Sequence, residues 1–272
     1  MSDSTLSDAI GLSPGQILAA TGSGGKTSLL KALGQECQAT GIHPAILTTT
    51  THIFSPEPAE EAALFLGDVE DLDAHLREYG RKWPGPITLA RRRMGEAPVP
   101  GAPGKTRMKV GGFRTDEIER LRRPAGVVLV EADGSRGLPI KAPGLNEPVI
   151  PPGTAIVLGV VGLDAIATPI DEEHAFRPNI LSSLVGLPLG APVDAAAIGR
   201  LAAHPEGLFR GTPKFTRRVL ICNKYDQIGQ MEKLEQIGYI IARSACSPNG
   251  PADLLLFTTC LPSGLRVMSP FP

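Results

Sequence analysis

The segment that most constrains this chain is residues 16–40, where an apolar run, a glycine-rich turn and an amphipathic stretch follow without a break. Residues 16–20 read as a strand, and 26–40 as a helix with Leu29, Leu30 and Leu33 on one face. Between them lies Thr21-Gly22-Ser23-Gly24-Gly25-Lys26-Thr27-Ser28. Glycines at 22, 24 and 25 open backbone conformations closed to other residues. Successive N–H groups can therefore converge at the mouth of a helix, where the helix end adds partial positive charge.

The same alternation continues along the chain. Apolar runs at 43–49, 126–130, 155–161 and 218–222 read as strands, with 87–92, 239–242 and 254–258 as further candidates. Helical spacing appears at 68–79, through Val69, Leu72 and Leu76, and helices are also expected at 115–122, 180–184, 195–203 and 227–236. Thr115 is the expected cap of its helix, and the Pro- and Gly-rich stretch 95–104 reads as an exposed loop. The expected class is α/β: a P-loop NTPase-like, mainly parallel sheet with helices on both faces. With 272 residues, 42% of them hydrophobic, the chain can bury such a core. A single domain is expected over 12–260, with 173–211 as a small helical subdomain and flexible tails at 1–11 and 261–272.

Composition excludes several classes. A net charge of −1 creates no global attraction to nucleic acid or an acidic membrane. No apolar run approaches the roughly 20 residues of a membrane span. Residues 1–11 lack the basic-then-apolar pattern of a secretory signal. Cys37, Cys222, Cys246 and Cys260 form no C-x-x-C pair, so reduced thiols in the cytoplasm are expected and a zinc site is not. Charge is uneven locally. Every charged residue from Glu57 to Asp73 is acidic, whereas Arg77 to Lys109 is strongly basic and includes Arg91, Arg92 and Arg93. Both stretches read as solvated faces.

Three segments carry chemistry. In the glycine-rich turn, Lys26 can reach the β- and γ-phosphates of a nucleoside triphosphate, and the Thr27 hydroxyl can ligate Mg²⁺. Lys26 is expected on a solvent-facing loop. Ala20 stands where the usual G-x-x-x-x-G-K-[ST] pattern has glycine, and this shorter form resembles the loop of the Mur ligases. The second segment, Val127-Val-Leu-Val-Glu-Ala-Asp-Gly134, ends an apolar strand in two carboxylates. Glu131 and Asp133 alternate, so both face one side, where they can hold Mg²⁺ or its water. Arg136 and Lys141 follow as cations able to stabilise transferring charge, and Gly134 and Gly137 make the segment adaptable. The third segment, Asn223-Lys224-Tyr225-Asp226, follows a late strand, as the guanine-reading N-K-x-D of GTPases does. Asp226 can accept from guanine N1–H and its 2-amino group, a donor pair adenine lacks. Ser244-Ala245-Cys246 is a weak echo of the S-A-x loop that backs guanine. Thr48 to Thr51 offer hydroxyls at a strand end, though threonine also favours strands in its own right. His174 and His204 stand alone and read as structural.

Together these segments resemble the YqeC family. The resemblance is carried by T-G-S-G-G-K-T-S, T-T-T-T-H-I-F from Thr48, V-E-A-D-G-S-R-G-L-P-I-K-A-P from Val130, V-V-G-L-D-A from Val160, H-P-E-G from His204, and N-K-x-D. It spans about residue 16 to 226, and the E-A-D-G-S-R-G-L-P-I-K-A-P block is its most specific part. It implies a cytoplasmic P-loop nucleotide-binding protein associated with maturation of selenium-dependent molybdenum hydroxylases. The partner would be such a hydroxylase or another of its maturation proteins. Members often continue past N-K-x-D with a longer helix than this chain is expected to have. Three readings follow: a Mg²⁺-dependent NTP hydrolase favouring GTP, an ATP-dependent ligase or kinase of Mur-ligase type, and a nucleotide-sensing scaffold without turnover.

Overall fold

Side chains alternate along the central strands, and both faces they point to are buried. Ile17, Ala19, Val128, Val130, Leu220 and Cys222 belong to one apolar cluster, while Leu18, Ala20, Val127, Leu129, Val219 and Ile221 belong to a second. Burial on both faces explains why these strands read as continuous apolar runs. The molecule, seen here as a computed structural model, is described for residues 5–57, 64–79, 85–123, 125–247, 250–261 and 264–269.

In chain order the elements are α1 (Leu6–Ile10), β1 (Gln16–Gly22), α2 (Lys26–Ala39), β2 (Ala45–Thr49), β3 (His52–Phe54), β4 (Leu64–Leu66), α3 (Val69–Tyr79), β5 (Ile87–Ala90), β6 (Arg92–Pro98) and β7 (Thr106–Gly111). They continue with α4 (Thr115–Leu121), β8 (Val127–Glu131), β9 (Ile140–Lys141), β10 (Thr154–Gly162), β11 (Ala175–Phe176), α5 (Pro178–Val185), α6 (Ala195–Ala203), β12 (Arg217–Asn223), α7 (Met231–Ala245), β13 (Leu254–Leu261) and β14 (Gly264–Met268). Nine strands form one sheet in the order β14-β13-β12-β10-β1-β8-β2-β5-β4, parallel throughout except for β14. Leu6 and Ile10 of α1 and Leu29, Leu30 and Leu33 of α2 fill one face. Side chains of α3 to α7 fill the other. The fold is thus α/β and P-loop NTPase-like in its sheet and layers, as expected.

Chain order places the site. From β1 the chain crosses to β2, returns to β8 between them, and then takes up β10 on the opposite flank of β1. Strand order reverses beside β1, and the C-terminal ends of strands at such a switch point form a natural crevice.

Several local expectations give way to tertiary packing. Residues 239–242 are helical, inside α7, because Leu234, Ile237 and Ile241 follow one buried helical stripe. That helix ends at Ala245, so Ser244-Ala245-Cys246 is a helix terminus and not a loop after a strand. Its fifteen residues also exceed the helix expected at 227–236. Residues 95–98 of the expected loop 95–104 belong instead to β6, in an antiparallel sheet of β3, β7 and β6, and residues 99–105 form the turn that follows. The helix at 115 is capped by Arg114, whose N–H donates to Glu117 Oε2 at 2.8 Å, and Thr115 lies inside it. The expected tails are partly built in: α1 buries Leu6 and Ile10, and β14 pairs with β13. Residues 1–4, 262–263 and 270–272 of those tails, residues 58–63 of the acidic stretch, and the side chains of Leu72 and Cys260 lie outside the described set.

Candidate functional site

The strand ends that carry the sequence motifs share one rim of the sheet. Gly22 of β1 sits in register with Val160 of β10, Glu131 of β8 faces Ala20 and Thr49, and Asn223 of β12 lies between Gly162 and Thr258. The glycine-rich turn is fixed by close approach. A Cβ on Gly24, at φ 83°, would stand 2.1 Å from Gly162 N, and one on Gly22 would stand 2.2 Å from Val160 O. The N–H groups of Ser23 and Gly24 are spent on Val160 O and Leu138 O. Among the described residues those of Gly25, Lys26, Thr27 and Ser28 meet no acceptor, as expected of the first turn of a helix. Free N–H groups at the start of a helix are chemically suited to receive an anion.

Lys26 is where the sequence expectation fails. It is not on a solvent-facing loop. It is the first residue of α2 and 2% exposed, because β8 brings two carboxylates over it. Its Nζ donates to Gly22 O at 2.6 Å and lies 3.1 Å from Asp133 Oδ1 and 3.9 Å from Glu131 Oε1. The alternation of Glu131 and Asp133 does bring both to one place, but their partners differ. Thr27 Oγ1 donates to Glu131 Oε2 at 2.6 Å. Asp133, fully buried, accepts from Gly22 N at 2.9 Å and pairs with Lys141 Nζ at 2.9 Å. Lys141, also fully buried, donates to Glu147 Oε2 at 3.0 Å, and Arg177 closes the chain of alternating charge at 2.7 Å from the same oxygen. Lys141 is thus a counter-ion within the fold, not a free cation at the rim.

Burial pushes the Glu131 carboxyl above its usual range, with Lys26 and Thr27 opposing. Burial also raises Glu147, but Arg177 and Lys141 more than offset it and hold the group below the ordinary carboxylate range. Thr27 and Glu131 are adjacent oxygens of the type Mg²⁺ accepts alongside phosphate and water. No cluster of three or more His, Cys, Asp or Glu among the described residues forms an all-protein metal cage.

Arg136 is exposed in the loop after β8, with its guanidinium 4.8 Å from the centre of the Phe176 ring. The turn between β6 and β7 reaches this loop, since a Cβ on Gly137 would stand 2.5 Å from Pro100 Cβ. The hydroxyls of Thr48, Thr49 and Thr50 are spent on Leu89 O, Glu131 O and Val149 O, so they knit neighbouring segments together. His204 Nδ1 accepts from Glu206 N, and His174 pairs with Asp171.

On the other flank, N-K-x-D is tied to the glycine-rich turn. Asn223 Nδ2 donates to Gly24 O at 2.8 Å. Lys224 Nζ lies 2.5 Å from Asp164 Oδ2, in the G-L-D-A segment after β10. Two residues that sequence reasoning missed complete the arrangement. Thr258 Oγ1 donates to Asn223 Oδ1 at 2.9 Å, and Thr259 Oγ1 donates to Asp226 Oδ1. They occupy the end of β13, the place assigned in sequence to Ser244-Ala245-Cys246. The available signal was Thr-Thr closing an apolar strand. Asp226 remains exposed at the rim.

A family model described as YqeC protein matches residues 18–179, from β1 to the start of α5. That span contains the glycine-rich turn and both carboxylates, while N-K-x-D lies beyond it. A protein of Escherichia coli (strain K12) named "Uncharacterized protein YqeC" is 32% identical over 227 residues, covering 81% of this chain and 82% of its own. No solved structure matches the chain.

Proposed function

The chain belongs to the YqeC family, and from that premise we propose that it binds GTP with Mg²⁺ and hydrolyses it, as an accessory factor in maturation of selenium-dependent molybdenum hydroxylases. The cellular part rests on the family resemblance, with a hydroxylase or another maturation protein as partner. The nucleotide part rests on the site. Gly22, Ser23, Gly24, Gly25, Lys26, Thr27 and Ser28 form the phosphate loop, with the free N–H groups of α2 facing the anion.

Lys26 neutralises charge on the β- and γ-phosphates. Thr27 and Glu131 would hold Mg²⁺, which when bound would neutralise phosphate charge. Asp133 stands behind them, orienting Lys26 and the Gly22 backbone. Arg136 offers an exposed cation on the same rim for charge that develops on transfer.

One observation carries the choice of guanine: Asn223 joins N-K-x-D to the phosphate loop through Gly24 O, while Thr259 holds Asp226 in place. A carboxylate held beside a phosphate loop matches the two donors on guanine's edge and leaves adenine unpaired. Competition binding with GTP, ATP and XTP on wild type and Asp226→Asn tests this. The wild type should prefer GTP, and the variant should lose GTP affinity by tens to hundreds of fold, corresponding to roughly 2–4 kcal/mol, while gaining XTP. Phosphate release should accompany GTP binding. Equal ATP and GTP affinities, unmoved by the substitution, would put the ATP-dependent ligase reading in its place.

A further inference from the structure

The rim holds a second concavity, on the far side of the acidic strand from the phosphate loop. It encloses about 760 Å³, within the range of small-molecule sites. Thr51, His52, Arg91, Arg92, Gly112 and Arg114 line it, at the ends of β2 and β5 and the start of α4. Its wall is rigid by construction. A Cβ on Gly112 would stand 1.6 Å from Thr49 O, so only glycine lets the β7–α4 connection seat on the end of β2. Gly112 N donates to Thr51 O, Phe113 N to Thr49 O and Arg91 N to Gly111 O, at 2.9 to 3.1 Å. Thr50 N in turn donates to Glu131 O, so this wall is bonded to the residue whose side chain holds Thr27.

Among the described residues one lining guanidinium here is free for a ligand, and its neighbours are shared with carboxylates at the surface. Arg92 has no acidic partner among the described residues. Arg114 holds Asp116 through two hydrogen bonds of 3.0 Å, and Asp116 also lines the concavity, but both side chains are largely exposed and water competes for the pair. Arg91 meets Glu117. The adjoining sheet adds Lys109 against the Phe54 ring, and Arg107, which lies against the same ring and is paired with Glu57. A larger depression of about 1010 Å³ at the opposite rim is lined by three carboxylates, Glu70, Asp73 and Glu119, against the single Asp116 here. There Glu70 is paired with Arg120, and Asp73 with Arg77.

We infer that the rim concavity is a binding site for a phosphorylated small molecule, held as a second ligand beside the nucleotide. Three guanidinium groups line one concavity, Arg92 of them unpaired among the described residues, and together they suit a dianionic phosphate better than a single carboxylate. Met94 and Val149, which also line the site, offer apolar surface to the organic part. The inference rests on the nucleotide reading only in making this ligand a second one. The anion site stands on its own residues.

Inorganic phosphate titrated into the full ¹⁵N-labelled chain tests it by two separate sets of amide signals. Thr51, His52 and Gly112 should shift saturably, whereas matched chloride should leave them unmoved. Arg92→Gln combined with Arg114→Gln should weaken that set's apparent affinity by about tenfold or more. Both side chains are exposed, and signals of Gly25 and Thr27 should respond as in wild type, confirming an intact fold. Phenyl phosphate should bind this set more tightly than inorganic phosphate. A silent Thr51–His52–Gly112 set, a non-saturating response shared with chloride, or indifference to the double substitution overturns the site. Equal affinities for the two phosphates overturn its small-molecule occupant. Failure of Gly25 and Thr27 alone to respond counts against the phosphate loop and leaves this site standing.

Discussion

Replacing Lys26 by methionine keeps most of the side-chain volume and removes one buried charge. Its ammonium lies 3.1 Å from Asp133 and 3.9 Å from Glu131, which at an effective dielectric near 20 corresponds to gross attractions of about 5 and 4 kcal/mol. Desolvation offsets much of this, and Lys141 still compensates Asp133 at 2.9 Å. The charge left unpaired is therefore Glu131. Breaking a buried pair from one side costs about 3–5 kcal/mol, and proton uptake by the orphaned carboxyl limits the loss to the lower end. Burial already raises Glu131 and Lys26 opposes it, so the substitution pushes the folded value higher still. The sign follows. Below the ordinary carboxylate value, about 4.3, Glu131 is neutral folded and unfolded, and this penalty is absent. It grows as pH rises and is complete once pH exceeds the folded value. Lys26→Met should thus lower stability by about 3 kcal/mol at pH 8, a melting shift of roughly 6–12 °C, with a smaller gap from wild type at pH 5. Urea unfolding at both values measures it. Wild-type stability of the variant at pH 8 would refute the buried cluster and return Lys26 to an exposed loop.

Thr259→Val removes the hydroxyl that holds Asp226 and should lower GTP affinity about tenfold while leaving ATP affinity unchanged; equal losses for both nucleotides in a competition titration would mean a general loosening of the rim. Glu147, held below the ordinary carboxylate range by Arg177 and Lys141 against burial, contributes stability above its unfolded value that disappears as pH falls through its folded value. Glu147→Gln should accordingly melt well below wild type at pH 7 and approach it at pH 3, and a gap independent of pH would exclude this linkage.

The local grammar of the chain determined a good deal unaided. Apolar runs long enough for a strand, buried on both faces, specify a covered parallel sheet whatever their neighbours. Glycines at 22, 24 and 25 between a strand and a helix place the turn, because backbone freedom is a property of the residue itself. The two-residue spacing of Glu131 and Asp133 puts both on one side of an extended chain, and both meet Lys26. The boundaries of α6, with Asp194 accepting from Ala197 N, are equally local.

Tertiary structure decided what depends on contacts between residues far apart in sequence. Lys26 is buried only because β8, about a hundred residues later, lies beside β1. Thr258 and Thr259 act on N-K-x-D only because β13 pairs with β12. Lys141 is consumed by Asp133 and Glu147, and nothing in its own neighbourhood of sequence distinguishes it from the exposed Arg136. Residues 239–242 carry the apolar content of a short strand, but three positions at helical spacing found a buried surface and settled the segment as helix. A sequence records which backbone conformations and faces are available. Which charge ends up desolvated against which partner is set by packing, because pairing and desolvation are properties of the assembled rim and not of any one segment.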